Sequence, residues 1–161
     1  MEFLFDNINL NELVTEAISQ CTPYADEYSV EFIEKKSSPN LFVYGDKGRL
    51  NQVMLNLLSN AAKFSPKGEN IEIIVSKIAN NARVEVIDHG LGIEEEFRDK
   101  IFERFAQADA SDTRSKQGSG LGLTITKSII EKHDGIIGFD SKVGAGTTFF
   151  IEIPIYDKIN N

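Results

Sequence analysis

Apolar residues at Leu50, Val53, Met54, Leu57, Leu58 and Ala61 recur at the i, i+3, i+4, i+7, i+8 spacing of a helix face. The spacing predicts one amphipathic helix over 46–64, with Asp46 as its N-cap. Upstream, Leu10, Leu13, Val14, Ala17 and Ile18 keep the same period, so a first helix is expected over 9–22, capped by Asn9, ended before Pro23 and preceded by a short apolar piece at 3–5. Residues 28–35 alternate, with Val30, Phe32 and Glu34 on one side, and read as a strand; 41–44 reads as another. After Phe64 the run Ser-Pro-Lys-Gly-Glu-Asn breaks the helix, and 71–79 and 83–88 form a predicted hairpin around Asn80 and Asn81. A short helical region is expected over 94–105, burying Ile101, Phe102 and Phe105. Residues 106–117 lack apolar periodicity and read as a mobile loop. Helical spacing resumes over 121–132 through Leu121, Ile125, Ile129 and Ile130, and two last strands, 135–141 and 147–155, turn at 143–146. Hairpins on both sides of a helical middle favour an α+β two-layer sandwich, a mixed and mostly antiparallel sheet on about three helices, over a doubly wound parallel sheet.

Composition narrows the classes. The 161 residues, 41% of them hydrophobic, suit a single domain over 1–161 with a real core, and no repeat or linker divides them. A net charge of -8 argues against nucleic-acid binding and against direct membrane contact, both of which use basic patches. The lone Cys21 cannot form an internal disulfide, and no Cys/His group has zinc spacing. With no apolar run long enough to span a bilayer and no signal peptide, the expected location is cytoplasmic, whether or not a longer parent protein carries a membrane anchor. A monomer is expected.

The polar side of the 46–64 helix carries the first candidate chemistry. Asn56, Asn60 and Lys63, with Phe64 beside them, fall on one stripe bordering the apolar face. Two amide oxygens, an ammonium and an aromatic ring in a row suit a metal-bound polyphosphate carrying a flat base, although Asn and Lys on a helix are more often solvated surface and Phe more often core. Three glycine clusters follow. In Asp88-His89-Gly90-Leu91-Gly92-Ile93, at a strand end, glycines would let backbone approach a ligand while the Asp carboxylate accepts from the amine of adenine; a plain turn with a solvent-facing Asp is the rival. Gly118-Ser119-Gly120-Leu121-Gly122-Leu123 opens a helix, where bare N–H groups favour phosphate. It has neither the dinucleotide pattern nor a P-loop ending, and the protein-kinase signatures are absent. Gly144-Ala145-Gly146-Thr147 reads as a hairpin turn. His89 and His133 read as loop or helix-end residues rather than catalytic bases.

In this order the pieces resemble the catalytic, ATP-binding domain of sensor histidine kinases, within the wider family of DNA gyrase B, Hsp90 and MutL. Asn60 matches the asparagine box, Asp88-x-Gly90-x-Gly92 the first glycine box, Phe102-Glu103-Arg104-Phe105 the phenylalanine box, Gly118-x-Gly120-Leu121-Gly122-Leu123 the second glycine box, and Gly144-x-Gly146-Thr147 the last. The resemblance covers nearly the whole chain and implies that family's α/β sandwich, with 106–117 as a lid over ATP. It further implies Asn60 and Asn56 on Mg²⁺, and Lys63 facing a phosphate as a catalytic residue with Asn60. Phe64, Ile93, Phe105 and Thr147 would line the nucleotide, Asp88 would hold the adenine amine in a pocket shaped by Gly90 and Gly92, and the segment Gly118, Ser119, Gly120, Leu121, Gly122, Leu123 would cradle phosphate.

Gyrase-type members place a Glu one helical turn before the magnesium Asn to polarise water; here that position is Asn56, which accepts no proton at neutral pH. The resemblance therefore implies transfer of the γ-phosphoryl to a protein nucleophile, as in two-component signalling. Neither His carries the family's His-Glu/Asp phosphoacceptor signature, so the acceptor is expected on a separate dimerisation domain, with a response-regulator receiver domain further on. A self-contained ATPase and a non-catalytic nucleotide-binding module are the alternatives. Asp134 stands where the family commonly has Gly and is not expected to touch nucleotide.

Overall fold

The computed structural model describes residues 2–37, 39–94, 96, 101 and 120–156. The expected 94–105 helical region, the phenylalanine box with Phe105, the lid over 106–117, and Gly118 and Ser119 therefore lie outside the described residues, Glu94, Glu96 and Ile101 apart.

Among the described residues the elements are, in order, β1 (Asp6–Asn9), α1 (Leu10–Glu27), β2 (Glu31–Lys35), β3 (Phe42–Gly45), α2 (Lys47–Phe64), β4 (Asn70–Ile78), β5 (Asn81–Ile87), α3 (Gly120–Lys132), β6 (Ile136–Lys142) and β7 (Gly146–Pro154). The main sheet has the order β2-β4-β5-β7-β6; β2 runs parallel to β4 and the other pairs are antiparallel. A second, two-stranded sheet pairs β1 with β3.

One face of the main sheet buries Ile71, Ile73 and Val75 of β4, Ala82, Val84 and Val86 of β5, and Ile151 and Ile153 of β7. Against it lie Leu13, Val14 and Ala17 of α1, Leu50, Val53, Met54, Leu57, Leu58 and Ala61 of α2, and Leu123, Ile129 and Ile130 of α3. Each fully buried aliphatic side chain stabilises the fold by about 2 kcal/mol. Central among the helices, α2 packs against both α1 and α3 and against β5. The expected α2 apolar stripe and Asp46 cap are observed, the Asp46 carboxylate accepting from the N–H of Arg49 at 2.9 Å and of Leu4 at 2.8 Å.

Two expectations need correction, and one strand was not expected. The first helix runs through Pro23 to Glu27. Pro23 removes only the bond to the carbonyl of residue 19 on the solvent side, while buried Cys21 and Ala25 hold the last turn against the core. The hairpin turn is Ala79-Asn80, with Ala79 at φ 52 and Asn81 already paired to Ile78, because a two-residue loop with positive φ matches strand twist. Residues 6–9 form a strand, invisible to pattern because its four residues are mostly polar and its partner lies more than thirty residues away.

His133 ends α3 as a helix-end residue, but a buried one, 3% exposed. Its Nδ1 lies 2.8 Å from the carbonyl of Ile129, which can only accept, so Nδ1 carries the proton and Nε2 accepts from the Asp46 N–H at 3.0 Å. The Phe5 ring stacks on it at 4.9 Å. Through this ring the end of α3 is fastened to the start of α2. Gly45 is needed there, since a Cβ would come 2.7 Å from the imidazole.

Candidate functional site

The expected residues fall into two groups that meet at the C-terminal end of α2. Asn56, Asn60 and Lys63 are half-buried on the last turns of α2, and Phe64 is 40% exposed at its end. The Asn56 amide donates through Nδ2 to Thr126 Oγ1 of α3 at 3.0 Å, which turns its carbonyl oxygen away from that bond. Thr126 itself is 2% exposed and was not singled out by the sequence; a polar residue in the apolar row Leu123, Ile129, Ile130 is the signal that marks it.

The second group is Asp88 with its loop. Asp88 directly follows β5 and is buried, not solvent-facing. Its Oδ1 accepts from the N–H of Gly90 at 2.9 Å and of Thr147 at 3.2 Å, and its own N–H donates to the Thr147 carbonyl at 2.9 Å. Burial pushes the Asp88 carboxyl above the usual aspartate range, against the amides of Gly90 and Thr147, which favour the ionised form. The loop is pressed between two other segments. A Cβ on Gly90 would lie 2.3 Å from the Phe64 carbonyl oxygen, and one on Gly92, at φ 81, would lie 2.5 Å from that of Lys142. The third cluster is a turn, as read, but also a wall of the site: Gly146, at φ 102, passes so close to Asp88 that a Cβ would meet its carbonyl oxygen at 2.2 Å. Gly144 donates its N–H to Leu91 at 2.8 Å.

A residue that sequence reasoning missed sits at the centre. Ser141 of β6, 6% exposed, accepts from the Ile93 N–H at 2.7 Å, and its hydroxyl lies 2.8 Å from Thr147 Oγ1 and 3.2 Å from the Gly146 carbonyl. The sheet register gives the signal: Ile137, Phe139 and Ser141 pair with Ile151, Phe149 and Thr147 on the core-facing side, where a hydroxyl needs a partner.

Gly120, Leu121 and Gly122 form the first turn of α3, and Leu123 is buried beneath it. Among the described residues no three His, Cys, Asp or Glu side chains form a metal-holding group. An open depression lined by Gln20, Cys21, Tyr24, Leu55, Asn56 and Ser59 lies between α1 and α2; it shares Asn56 with the expected set and carries no charged side chain. Burial pushes the Cys21 thiol there up to about 11. No described helix is long and apolar enough to cross a membrane.

Known proteins are similar to this chain in sequence and architecture. The sensor-like histidine kinase SenX3 of Mycobacterium tuberculosis strain H37Rv is 37% identical over 148 residues, 92% of this chain and 36% of its own length. The chain thus spans about a third of the length of these SenX3 relatives. Full-length ShkA, crystallised with AMPPNP, superposes with a TM-score of 0.82 at 31% identity, covering 96% of this chain and 32% of ShkA. The histidine kinase ThkA, in complex with the response regulator protein TrrA, gives a TM-score of 0.79 at 30% identity, covering 96% of this chain and 42% of ThkA. A family profile described as histidine kinase-, DNA gyrase B-, and HSP90-like ATPase matches residues 45–157, a span that begins at the glycine under His133 and includes β7. With that match and these relatives, the chain belongs to the histidine kinase, DNA gyrase B and HSP90-like ATPase family.

Proposed function

We propose that this chain is the ATP-binding catalytic part of a sensor histidine kinase, acting in the cytoplasm within a longer protein, and that it passes the γ-phosphoryl of ATP to a histidine on a separate dimerisation domain. The buried Asp88 carboxylate, wedged between the end of α2 and the β6–β7 turn, is the observation that carries the reading. Its Oδ1 is taken by two backbone amides, so its second oxygen is the acceptor that an adenine amine would meet. Gly90, Gly92 and Ile93 line that end with Thr147. The AMPPNP held by ShkA and the kinase names of the relatives support ATP as the ligand.

Mg²⁺ fits the other end on donor chemistry. Magnesium takes oxygen ligands, keeps several waters and is commonly held by few protein groups plus phosphates, so a site without a carboxylate cluster is adequate. Asn60 and Asn56 would hold it through their amide oxygens, the Asn56 NH₂ group being engaged by Thr126. Bound there, the ion would neutralise charge developing on the phosphates. Lys63 would do the same from the protein side, the start of α3 would hold phosphate with its N–H groups, and Phe64 would flank the nucleotide. In the transfer an imidazole nitrogen of the acceptor attacks the γ-phosphorus, the bond to the β–γ bridging oxygen breaks, ADP leaves, and the imidazole gives up its N–H proton to solvent. The phosphoryl group would then pass to a response-regulator receiver domain, as the ThkA complex suggests. A lid over 106–117 would exclude water.

Because position 56 offers an amide where a water-activating base would be required, the chain alone turns over ATP slowly while binding it well. Mixing it with Mg-ATP and the cognate histidine domain is expected to give phosphohistidine. Tight ATP binding with rapid hydrolysis and no phosphohistidine would favour the self-contained ATPase instead, and binding with neither activity would favour a nucleotide-binding module.

A further inference from the structure

We infer that the seam between α1 and α2, where it opens beside Asn56, is the surface on which the helix carrying the acceptor histidine docks. The inference rests on the phosphoryl transfer proposed above and gives that transfer a side of entry. Two side-chain bridges close the first part of the seam. The Lys47 ammonium pairs with the Glu16 carboxylate at 3.6 Å, and one turn further on Asn51 Nδ2 donates to Gln20 Oε1 at 3.1 Å. The bridges follow one another in the same order along both helices, so α1 and α2 run side by side in the same direction. Past the second bridge the seam widens into the depression of about 320 Å³ lined by Gln20, Cys21, Tyr24, Leu55, Asn56 and Ser59. Buried Cys21 donates its thiol hydrogen across the seam to the Leu55 carbonyl at 3.9 Å, and Tyr24 stands 43% exposed beside it.

The opening lies on the side of Asn56 from which an acceptor can come. A nucleophile reacts from about 3–3.5 Å, and a histidine side chain is short, so the helix carrying it must lie against the surface next to the metal-bound phosphates. Asn56 is tied to α3 on one side through Thr126, and the sheet lies beneath α2. The base end is closed by the contacts of the Asp88 loop with Phe64 and with the β6–β7 turn. Among the described residues that leaves the α1 side, where Asn56 is also a wall of the depression. A groove between two helices accepts the side-chain ridge of a third. Although the chain carries a net charge of -8, no charged side chain lines this groove, so an unpaired charge brought into it by a partner would lose its hydration without compensation. The partner it fits is therefore a helix with the histidine at its edge and uncharged, small polar or aliphatic side chains along the flank that meets Tyr24 and Ser59. Tyr24 offers that flank a large ring with a polar tip, the kind of side chain that carries binding energy at interfaces.

The test follows phosphoryl transfer from Mg-ATP to the cognate histidine domain by the full 161-residue chain, with ATP affinity and thermal unfolding measured on the same samples. Tyr24→Arg and Ser59→Arg each place a charge and a long side chain in the opening. Each is expected to raise KM for the histidine domain by about tenfold, with ATP affinity and unfolding temperature unchanged. Thr22→Arg puts the same charge on the other flank of α1, and Tyr24→Phe keeps the ring; both are expected to leave KM within about twofold. A KM unchanged by Tyr24→Arg and by Ser59→Arg overturns the inference, as does an equal rise in Thr22→Arg, which reports charge alone. If sedimentation shows the unsubstituted chain to be a dimer that Tyr24→Arg dissociates without raising KM, a second copy covers the opening and the inference fails. An unsubstituted chain that binds ATP but gives no phosphohistidine overturns the kinase reading, and this inference with it, before any variant is compared.

Discussion

The two ends of the site are held by different kinds of structure. At the Asp88 end, three segments meet backbone to backbone: glycines replace side chains where a Cβ would fall within 2.2–2.5 Å of a carbonyl oxygen, and Asp88, Ser141 and Thr147 are buried in one hydrogen-bond network. At the other end, Asn56, Asn60, Lys63 and Phe64 stand half-exposed on one rigid helix, spaced by its pitch. The difference teaches where each end is vulnerable. The first can be broken by adding an atom anywhere in its backbone, the second by changing the chemistry of one side chain with the fold intact.

The largest expected effect follows from geometry alone. Gly146→Ala forces a side chain into φ 102 and against the Asp88 carbonyl, and should lower stability by about 3 kcal/mol in urea unfolding while abolishing nucleotide binding. An alanine that leaves both unchanged would refute the tight three-segment contact. Next, Asp88→Asn keeps the shape but points an amide at two N–H donors or at the adenine amine, and should weaken ATP by about a hundredfold, the scale of a hydrogen bond to a charged group.

Asp88 also predicts opposite pH slopes for folding and binding. With the carboxyl raised by burial, the folded chain holds more protons than the unfolded one between the usual value of 3.8 and the raised value. The contribution of Asp88 to stability therefore falls as pH rises through that window. ATP needs the ionised acceptor, so affinity falls as pH drops through the raised value. Titrations from neutral to mildly acid pH should show this loss of affinity in the unsubstituted chain and no slope from position 88 in Asp88→Asn.

At the helix end, Asn60→Ala should reduce affinity about tenfold when Mg²⁺ is present, have little effect when it is chelated, and leave unfolding unchanged, because the side chain belongs to a face already half in solvent. A loss of stability matching that of Gly146→Ala would erase the distinction between the ends. Smallest is Thr126→Val. Freed from its partner, the Asn56 amide can rotate, and the magnesium dependence of nucleotide binding should shrink by about threefold, half the free energy of one hydrogen bond. A larger change than Asn60→Ala would show that the orientation of Asn56 outweighs the ligand on Asn60.

Much of this was readable in advance, and the exceptions share a cause. The α2 stripe and its Asp46 cap follow from a period that a helix imposes within a few residues. The glycine clusters mark places where backbone must turn or approach closely, and two of the three proved to lie against Asp88 itself. Strand β1, the parallel pairing of β2 with β4, and the helix that runs on through Pro23 were not readable, because each is stabilised by a partner distant in sequence. For Ser141 and Thr126 the pattern held only a weak mark, a hydroxyl where an aliphatic side chain was due.

The sequence by itself determined which residues could meet a nucleotide, since helical pitch and the glycine positions are local consequences of covalent geometry. Only the tertiary structure decided what those residues are able to do. Burial, which depends on the whole sheet, turned Asp88 from a turn residue into a raised-pKa acceptor. Contacts across 70 residues turned the Asn56 amide, and contacts across 48 fixed the Ile93 amide on Ser141, because directional hydrogen bonds exist only once the distant partner has been brought within reach.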